Sequence, residues 1–301
     1  MVVRPPVAGG LDRDLPGKDV RLRATRWPGS GPAVLLLHGL ASSRRFWDLV
    51  VPSLVGHTVL TLDQRGHGDS DRPQGPYDGA TVVADALTAL DALGLSRVVV
   101  VGHSWGASTA LRLAATAPER VLSVVAIDGG FLPATGAGKD RQQARERLTP
   151  PRIALEPERL LEVLRGGSLA PWWNAEVEAA VLPLFALGPD GLARARLPFE
   201  AHMAIVDDLL ADEPLAARFA AVRCPAWIVS CEPGTGAADP WSDAKRAALD
   251  AAGAALAQPR LLRWTGAVHD VPLQWPSLVA GLIRAAVDEV APRSDRAGSS
   301  A

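Results

Sequence analysis

The sequence is poor in cysteine and in lysine. Its two cysteines, Cys224 and Cys231, flank a predicted strand, so their side chains should point to opposite faces of that strand. This argues against a disulfide between them, and their spacing is not that of a zinc site. Lysine occurs only at Lys18, Lys139 and Lys245, although Lys and Arg together number 31. We expect two buried free thiols.

Long apolar runs and an excess of one charge are also absent. No stretch reaches the length of a membrane-spanning helix, and residues 1–10 contain no apolar core of signal-peptide length. The formal net charge of -2 gives no long-range attraction to nucleic acid or to an anionic membrane. We therefore expect a cytoplasmic protein that has neither nucleic acid nor a membrane as a partner.

Short apolar runs alternate with helical patterns in the first part of the chain. The mostly apolar runs at 33–37, 58–62, 97–101 and 121–127 are typical of strands buried on both faces. Residues 20–27 alternate apolar and charged side chains, which indicates a half-exposed strand at a sheet edge. Because helical patterns separate the runs, we predict an α/β fold with a parallel sheet between two helical layers. Its ligand site should lie beyond the carboxyl ends of the strands.

The pattern changes after Gly130. Residues 131–222 contain helical stretches broken by prolines and no convincing strand, whereas strand signals resume at 226–230 and 260–264. A final helix is predicted at 272–290. The sequence therefore predicts a core domain at 1–131 and 222–301, with a helical cap domain at 132–221.

A five-residue motif, Gly102-His103-Ser104-Trp105-Gly106, joins the run at 97–101 to a predicted helix. A GxSxG motif between a strand and a helix predicts a nucleophile elbow, a sharp turn that holds the serine with its hydroxyl projecting. The helix that follows would direct its N-terminal N–H groups and positive dipole end at the same point, where an oxyanion would be stabilised.

Four motifs together resemble the α/β-hydrolase fold family over nearly the whole chain. They are His38-Gly39, Asp63-x-Arg65-Gly66-His67-Gly68-x-Ser70, the elbow at Ser104, and Gly266-x-x-His269. The resemblance implies a mostly parallel eight-stranded sheet, a helical cap inserted after the sixth strand, and the chain order nucleophile, acid, histidine. The epoxide hydrolases and haloalkane dehalogenases of this fold carry aspartate at the elbow, so this chain looks unlike both.

Ser104 needs a base within hydrogen-bond reach, because a serine hydroxyl is a weak nucleophile at neutral pH. Six histidines are available. His269 follows the last predicted strand on a loop that returns to the active end, and it matches the family's histidine position, so we expect it to be the general base. His103 should point away from the serine, and His38 and His67 should shape the turns that contain them.

The acid that would orient His269 has three candidates. In the family it usually follows the strand predicted at 226–230, in a pattern of glycine, two residues and aspartate, but this chain reads Cys-Glu-Pro-Gly at 231–234. Asp128 follows the strand beside that of Ser104 in the implied order, a position that some members use. We expect Asp128 to be the acid and keep Glu232 and Asp239 as alternatives.

The remaining site predictions concern backbone donors and the cap. We expect the N–H groups of Leu40 and Trp105 to form an oxyanion hole. Apolar and aromatic side chains should roof the substrate pocket, and the candidate contacts are Trp105, Phe131, Trp172, Trp173 and Met203.

These features favour a serine hydrolase that cleaves a small or medium-sized apolar ester, lactone or thioester through an acyl-Ser104 intermediate. We expect it to use neither a metal nor an organic cofactor, to take a small molecule as its substrate, and to be a monomer or homodimer. Two alternatives stay open. The same triad serves carbon-carbon bond hydrolases and amidases, and a ligand receptor built on a hydrolase fold can keep all three residues.

Overall fold

The computed structural model describes residues 7–133, 135, 140–211, 215–232, 234 and 240–292. Within them the strands are β1 (Leu11–Pro16), β2 (Arg21–Trp27), β3 (Ser30–Leu37), β4 (His57–Leu62), β5 (Val98–His103), β6 (Val121–Ile127), β7 (Phe185–Leu187), β8 (Ala193–Ala195), β9 (Ala226–Glu232) and β10 (Pro259–Thr265). The helices are α1 (Gly79–Ala92), α2 (Trp105–Thr116), α3 (Arg141–Leu148), α4 (Pro157–Arg165), α5 (Ala175–Val181), α6 (Phe199–Ala211), α7 (Leu215–Ala221), α8 (Pro240–Ala255), α9 (Val271–Gln274) and α10 (Pro276–Val290).

One eight-stranded sheet has the order β1-β2-β4-β3-β5-β6-β9-β10. The pairings β1–β2 and β2–β4 are antiparallel, and every other pairing is parallel. This confirms the predicted α/β-hydrolase fold class with its mostly parallel sheet. The predicted edge position of residues 20–27 is wrong, because β1 pairs outside β2. The exposed, charged residues of β1 give no apolar signal from which that strand could be predicted.

The central strand β5 shows how the sheet separates two apolar layers. Val98 and Val100 pack into a cluster with α1, α2 and α8, whereas Val99 and Val101 pack into a second cluster with α10. Successive side chains of a strand point to opposite faces, so the four valines of β5 contribute equally to both layers. The carboxyl ends of β5 and β6 are thereby fixed side by side.

The segment between β6 and β9 contains α3 to α7 and a short hairpin. Strands β7 and β8 pair antiparallel, with Phe185 opposite Ala195. The prediction of no strand in this segment is therefore wrong, because three-residue strands are too short to show an alternating pattern. The predicted final helix is also divided at Trp275, since Pro276 lacks the N–H that would continue α9.

Among the described residues, no helix combines the length and the apolar character that a bilayer crossing demands.

Candidate active site

Ser104 stands on a strained turn between β5 and α2. Its φ of 54° and ψ of -118° lie outside the usual regions for a residue with a side chain. Close packing holds the turn, because a Cβ on Gly106 would overlap the backbone carbonyls of Leu37 and His38. The Ser104 N–H donates to the Ile127 carbonyl at 2.9 Å, which ties the turn to the end of β6.

Ser104, His269 and Asp128 form one hydrogen-bonded row. The Oγ of Ser104 lies 3.0 Å from Nε2 of His269, and Nδ1 of His269 lies 2.6 Å from Oδ2 of Asp128. Because an ionised carboxylate only accepts, Nδ1 carries the proton, which leaves Nε2 of the neutral ring free to accept from the serine hydroxyl. The three residues predicted from the sequence are therefore brought together in a geometry that permits proton transfer.

Asp128, which directly follows β6, is buried, and both of its carboxylate oxygens accept hydrogen bonds. Its side chain is 1 % exposed, and its Oδ1 accepts from the Cys231 N–H at 3.0 Å and from Nζ of Lys245 at 2.6 Å. A Cβ on the following Gly129 would overlap the Ser104 carbonyl, so a glycine is needed where the two turns meet. Sequence reasoning missed Lys245, and its only signal was the rarity of lysine in this chain.

The two alternative acids are placed differently. The Glu232 carboxylate forms ion pairs with Arg263, at 3.1 Å, and with Arg246, at 3.5 Å, and it makes no hydrogen bond to His269 within the described residues. Asp239 lies outside the described residues.

Burial and hydrogen-bonded charges shift the pKa values of Asp128 and His269 in opposite directions. Burial alone would raise the pKa of the Asp128 carboxyl, but the hydrogen bond and charge of His269 and the Lys245 ammonium together hold that pKa at about 2. For His269, burial would lower the pKa of the imidazole, yet contact with Asp128 raises it above the ordinary value of 6.5. Asp128 is therefore ionised at neutral pH, and the His269 imidazole holds a proton more strongly than a free histidine does.

His103 fixes the backbone of the loop that carries His269. Its Nε2 lies 2.8 Å from the His269 carbonyl oxygen, which can only accept, so Nε2 carries the proton. Burial lowers the pKa of His103 to about 3 and keeps the ring neutral. The ring is buried, and its centroid lies 4.7 Å from that of His269.

His38 and His67 hold the loop that follows β3. Nε2 of His38 accepts from the Gln64 N–H at 3.1 Å, and Nε2 of His67 accepts from the Ala41 N–H at 3.2 Å. Burial lowers their pKa values to about 4 and about 3, so both rings are neutral. The bonds fit the turn-shaping role predicted for these histidines.

The two predicted oxyanion donors lie close to Ser104. Trp105 is the first residue of α2, and Leu40 follows Gly39, on which a Cβ would lie 3.2 Å from that of Ser104. Within the described part of the chain, neither the Leu40 N–H nor the Trp105 N–H has an assigned acceptor. Both are therefore free to donate to a ligand oxygen beside Ser104.

A cavity of about 410 Å³ adjoins the row and is bounded by Ser104, Asp128 and His269. Its apolar walls come from the sheet side and from α3, α6 and α7, and they include Trp105, Phe131, Leu148, Leu209, Leu210 and Leu215. About half of the His269 side chain, 53 %, is accessible. The cavity can hold a small or medium-sized apolar molecule against the serine.

Of the five predicted substrate contacts, Trp105 and Phe131 line this cavity, but Trp172, Trp173 and Met203 do not. Trp172 and Trp173 pack against the apolar layer on the other face of the sheet, and Met203 is buried in α6. Internal packing therefore accounts for these three side chains. Among the described residues, no cluster of three or more His, Cys, Asp or Glu side chains is arranged to hold a metal ion.

The chain is similar to known hydrolases in part of its sequence and in its fold. The sequence profile of the α/β-hydrolase fold matches residues 32–149. Epoxide hydrolase 3 of Siraitia grosvenorii is 39% identical over 109 residues, which are 35% of this chain and 34% of that protein. The 2-(acetamidomethylene)succinate hydrolase of Mesorhizobium japonicum is 39% identical over 104 residues, which are 34% of this chain and 37% of the relative. The crystal structure of E-2-(acetamidomethylene)succinate hydrolase superposes with a TM-score of 0.73 at 24% identity, covering 93% of this chain and 99% of that one.

The chain has the α/β-hydrolase fold, as the order and spacing of its motifs predict. The matched segments span only about a third of the curated relatives, 34% and 37% of their lengths. The identity to the superposed structure is low, so that likeness shows the fold alone.

Proposed function

We propose that this protein is a serine hydrolase that cleaves a small or medium-sized apolar ester, lactone or thioester through an acyl-Ser104 intermediate. The proposal is carried by one observation, the row in which Ser104 Oγ lies 3.0 Å from His269 Nε2 and His269 Nδ1 lies 2.6 Å from Asp128. Each of the three groups has the partner that its role in acyl transfer requires.

In the first half of the proposed reaction, His269 Nε2 takes the proton of Ser104 as the serine oxygen attacks the substrate carbonyl. The negative charge that develops on the carbonyl oxygen is stabilised by the N–H groups of Leu40 and Trp105. The protonated His269 then gives its proton to the leaving oxygen or sulfur, the carbon–leaving-group bond breaks, and the acyl group stays on Ser104.

In the second half, water replaces the alcohol or thiol. His269 Nε2 takes a proton from the water as its oxygen attacks the acyl carbon, and the same proton returns to Ser104 when the acyl–serine bond breaks. Asp128 stays ionised throughout and stabilises the imidazolium at each transfer.

Two features support the proposed substrate class, the cavity and the identity of the nucleophile. Apolar walls around about 410 Å³ favour an uncharged acyl group of modest size. Serine at the elbow disfavours the chemistry of the epoxide hydrolases of this fold, which use an aspartate nucleophile. The relatives named above as hydrolases support the broader class. We also propose that residues 132–221 act as a cap domain over a core formed by 1–131 and 222–301.

The test combines covalent labelling with turnover. The purified protein is treated with a fluorophosphonate probe and analysed by intact mass and peptide mapping, alongside Ser104→Ala and His269→Ala. We expect one phosphonyl group on Ser104 in the native protein and none in Ser104→Ala. Hydrolysis of p-nitrophenyl butyrate should exceed that by Ser104→Ala by about 10³-fold or more.

Other outcomes would redirect the proposal. Labelling of Ser104 with no ester or thioester turnover, but with cleavage of an anilide or a diketone, would favour the amidase or carbon-carbon hydrolase alternative. Tight binding of a small molecule with negligible turnover would favour the receptor. Absence of labelling at Ser104 would contradict an activated serine altogether.

A further inference from the structure

Lys245 lies against the acid of the catalytic row although neither the motifs nor the proposed reaction requires a cation there. Its Nζ is 2.6 Å from Oδ1 of Asp128 and 2.8 Å from the Cys231 carbonyl oxygen. The side chain is 11 % exposed, and the residue also borders the cavity that contains Ser104 and His269. A buried ammonium beside a buried carboxylate is costly unless both are well paired, so this placement is specific.

The two carboxylate oxygens of Asp128 have different hydrogen-bond partners. Among the described residues, Oδ1 accepts from the ammonium and the Cys231 N–H, whereas Oδ2 accepts from Nδ1 of His269. Because β9 and α8 together fix Oδ1, the carboxylate cannot rotate away from the imidazole. In this row the acid follows β6 rather than β9. Groups from β9 and α8 instead hold that acid in place.

We propose that Lys245 is a positioning residue that orients Asp128 toward His269 and, by its charge, weakens the proton affinity of His269. The inference rests on the proposed function for its catalytic meaning. Its electrostatic part concerns the imidazole alone and can be measured without turnover.

The sign of the charge effect follows from simple electrostatics. Asp128 stabilises the imidazolium form of His269, and the Lys245 ammonium opposes it, both by partly neutralising Asp128 and by like-charge repulsion. Within the described residues, the other titratable groups near His269 are Asp270 on its own loop, His103 at the end of β5, Cys231 on β9 and Arg147 on α3 across the cavity. Removal of the lysine charge should therefore raise the affinity of His269 for its proton.

The experiment measures the His269 pKa directly. The full chain is labelled at histidine Cε1, and the imidazole resonances are followed by NMR from pH 5 to pH 9 in the native protein, Lys245→Met and Lys245→Arg. His269→Gln assigns the resonance. We expect a rise in pKa of about 0.5–1 in Lys245→Met and little change in Lys245→Arg, which keeps the charge.

The second readout is the pH dependence of fluorophosphonate labelling. In Lys245→Met, the pH of half-maximal labelling rate should rise by the same amount, and the maximal rate should fall about 10-fold to 100-fold because the row loses its fixed geometry. Arg246→Gln is the matched control. It also removes one positive charge from α8, but Arg246 pairs with Glu232 and Asp243 rather than Asp128.

The outcomes separate the inference from the proposed function. An unchanged His269 pKa in Lys245→Met, or an equal rise in Arg246→Gln, would overturn the inference even if Ser104 is labelled. Failure to label the native protein would overturn the serine hydrolase, while the NMR titration would still decide the role of Lys245. If Lys245→Met does not fold, Lys245→Gln serves the same test, because its amide can still donate to Asp128 but carries no charge.

Discussion

Asp128 has a backbone conformation that few aspartates adopt. Its φ is 46°, in the left-handed region, yet its carboxylate is buried and accepts from a backbone N–H, an ammonium and an imidazole. A residue with a side chain needs strong surrounding contacts to keep a positive φ. The turn is therefore stabilised by the same bonds that aim the carboxylate at His269.

The substitution Asp128→Asn tests the proposed acid. An amide cannot stabilise the imidazolium and favours the wrong tautomer of His269, so kcat for p-nitrophenyl butyrate should fall by roughly 10⁴-fold. The protein should remain folded, which circular dichroism can check.

The alternative acids provide the controls for that variant. Glu232→Gln and Asp239→Asn should each keep kcat within several-fold of the native value, because in the proposed row Asp128 is the carboxylate that contacts His269. A loss of activity in either control that matches the loss in Asp128→Asn would move the acid to the loop after β9.

The pH dependence of the reaction follows from the raised pKa of His269. Only the neutral ring can take the serine proton, so kcat/KM should rise with pH as the imidazolium loses its proton. The midpoint should lie above 6.5, the ordinary value for histidine. A profile measured from pH 5 to pH 9 with a neutral ester checks this, and a midpoint below pH 6 would contradict the ion pair between His269 and Asp128.

At this scale the sequence could predict residues that sit in motifs but not those that act through packing. Ser104 and His269 belong to recognisable patterns, and Asp128 follows a strand end. Lys245 is 117 positions from Asp128 along the chain. Their contact depends on how α8 packs beside β9, and no short sequence motif indicates that packing.

Helix α2 packs closely against the sheet. Its Gly106 lies against the end of β3, where a Cβ would overlap the carbonyls of Leu37 and His38. Gly106→Ala should therefore force α2 away from the sheet and lower the free energy of unfolding by about 1–3 kcal/mol. Urea denaturation followed by tryptophan fluorescence measures the change.

A glycine in another helix supplies the matched control. Gly281 lies in α10, where a Cβ would meet only the Arg284 side chain at 3.9 Å. Gly281→Ala should raise the stability by up to about 1 kcal/mol, because alanine favours the helix more than glycine does. Equal effects of the two substitutions would mean that packing against β3 does not constrain α2.

The elements that sequence patterns missed share a physical cause. Strand β1 carries exposed charged side chains at Arg13 and Asp14 and a half-buried one at Asp12, and strands β7 and β8 have three residues each. Periodicity reports burial, so strands that are exposed or very short leave no signal. The buried strands β3 to β6 were predictable for the opposite reason.

At the scale of the whole molecule, the cavity lies where the segment between β6 and β9 meets the sheet. Leu148 from the end of α3 contributes to its wall, opposite the residues that follow β5 and β6. The sequence suggested an aromatic roof, but it could not tell which side chains of the insertion face inward. That distinction depends on how the inserted helices pack on the core.

The substitution Leu148→Trp tests whether this cavity holds the acyl group. A larger side chain should leave less room, so the ratio of kcat/KM for p-nitrophenyl acetate to that for the octanoate should rise by about 10-fold or more. Val163→Trp is the control, because Val163 on α4 is 49% exposed and borders no part of this cavity. An unchanged ratio in Leu148→Trp would place the acyl group elsewhere.

The position of the acid on β6 has a consequence for protein engineering. In the proposed enzyme, the reacting groups are Ser104, His269 and Asp128, and the described residues on either side of the connection from β9 to α8 hold Asp128 through the Cys231 backbone and the Lys245 side chain. A peptide epitope or a tether could be grafted after Gly234 without displacing nucleophile, base or acid. The same graft in a relative whose acid follows its penultimate strand would cut through the catalytic machinery.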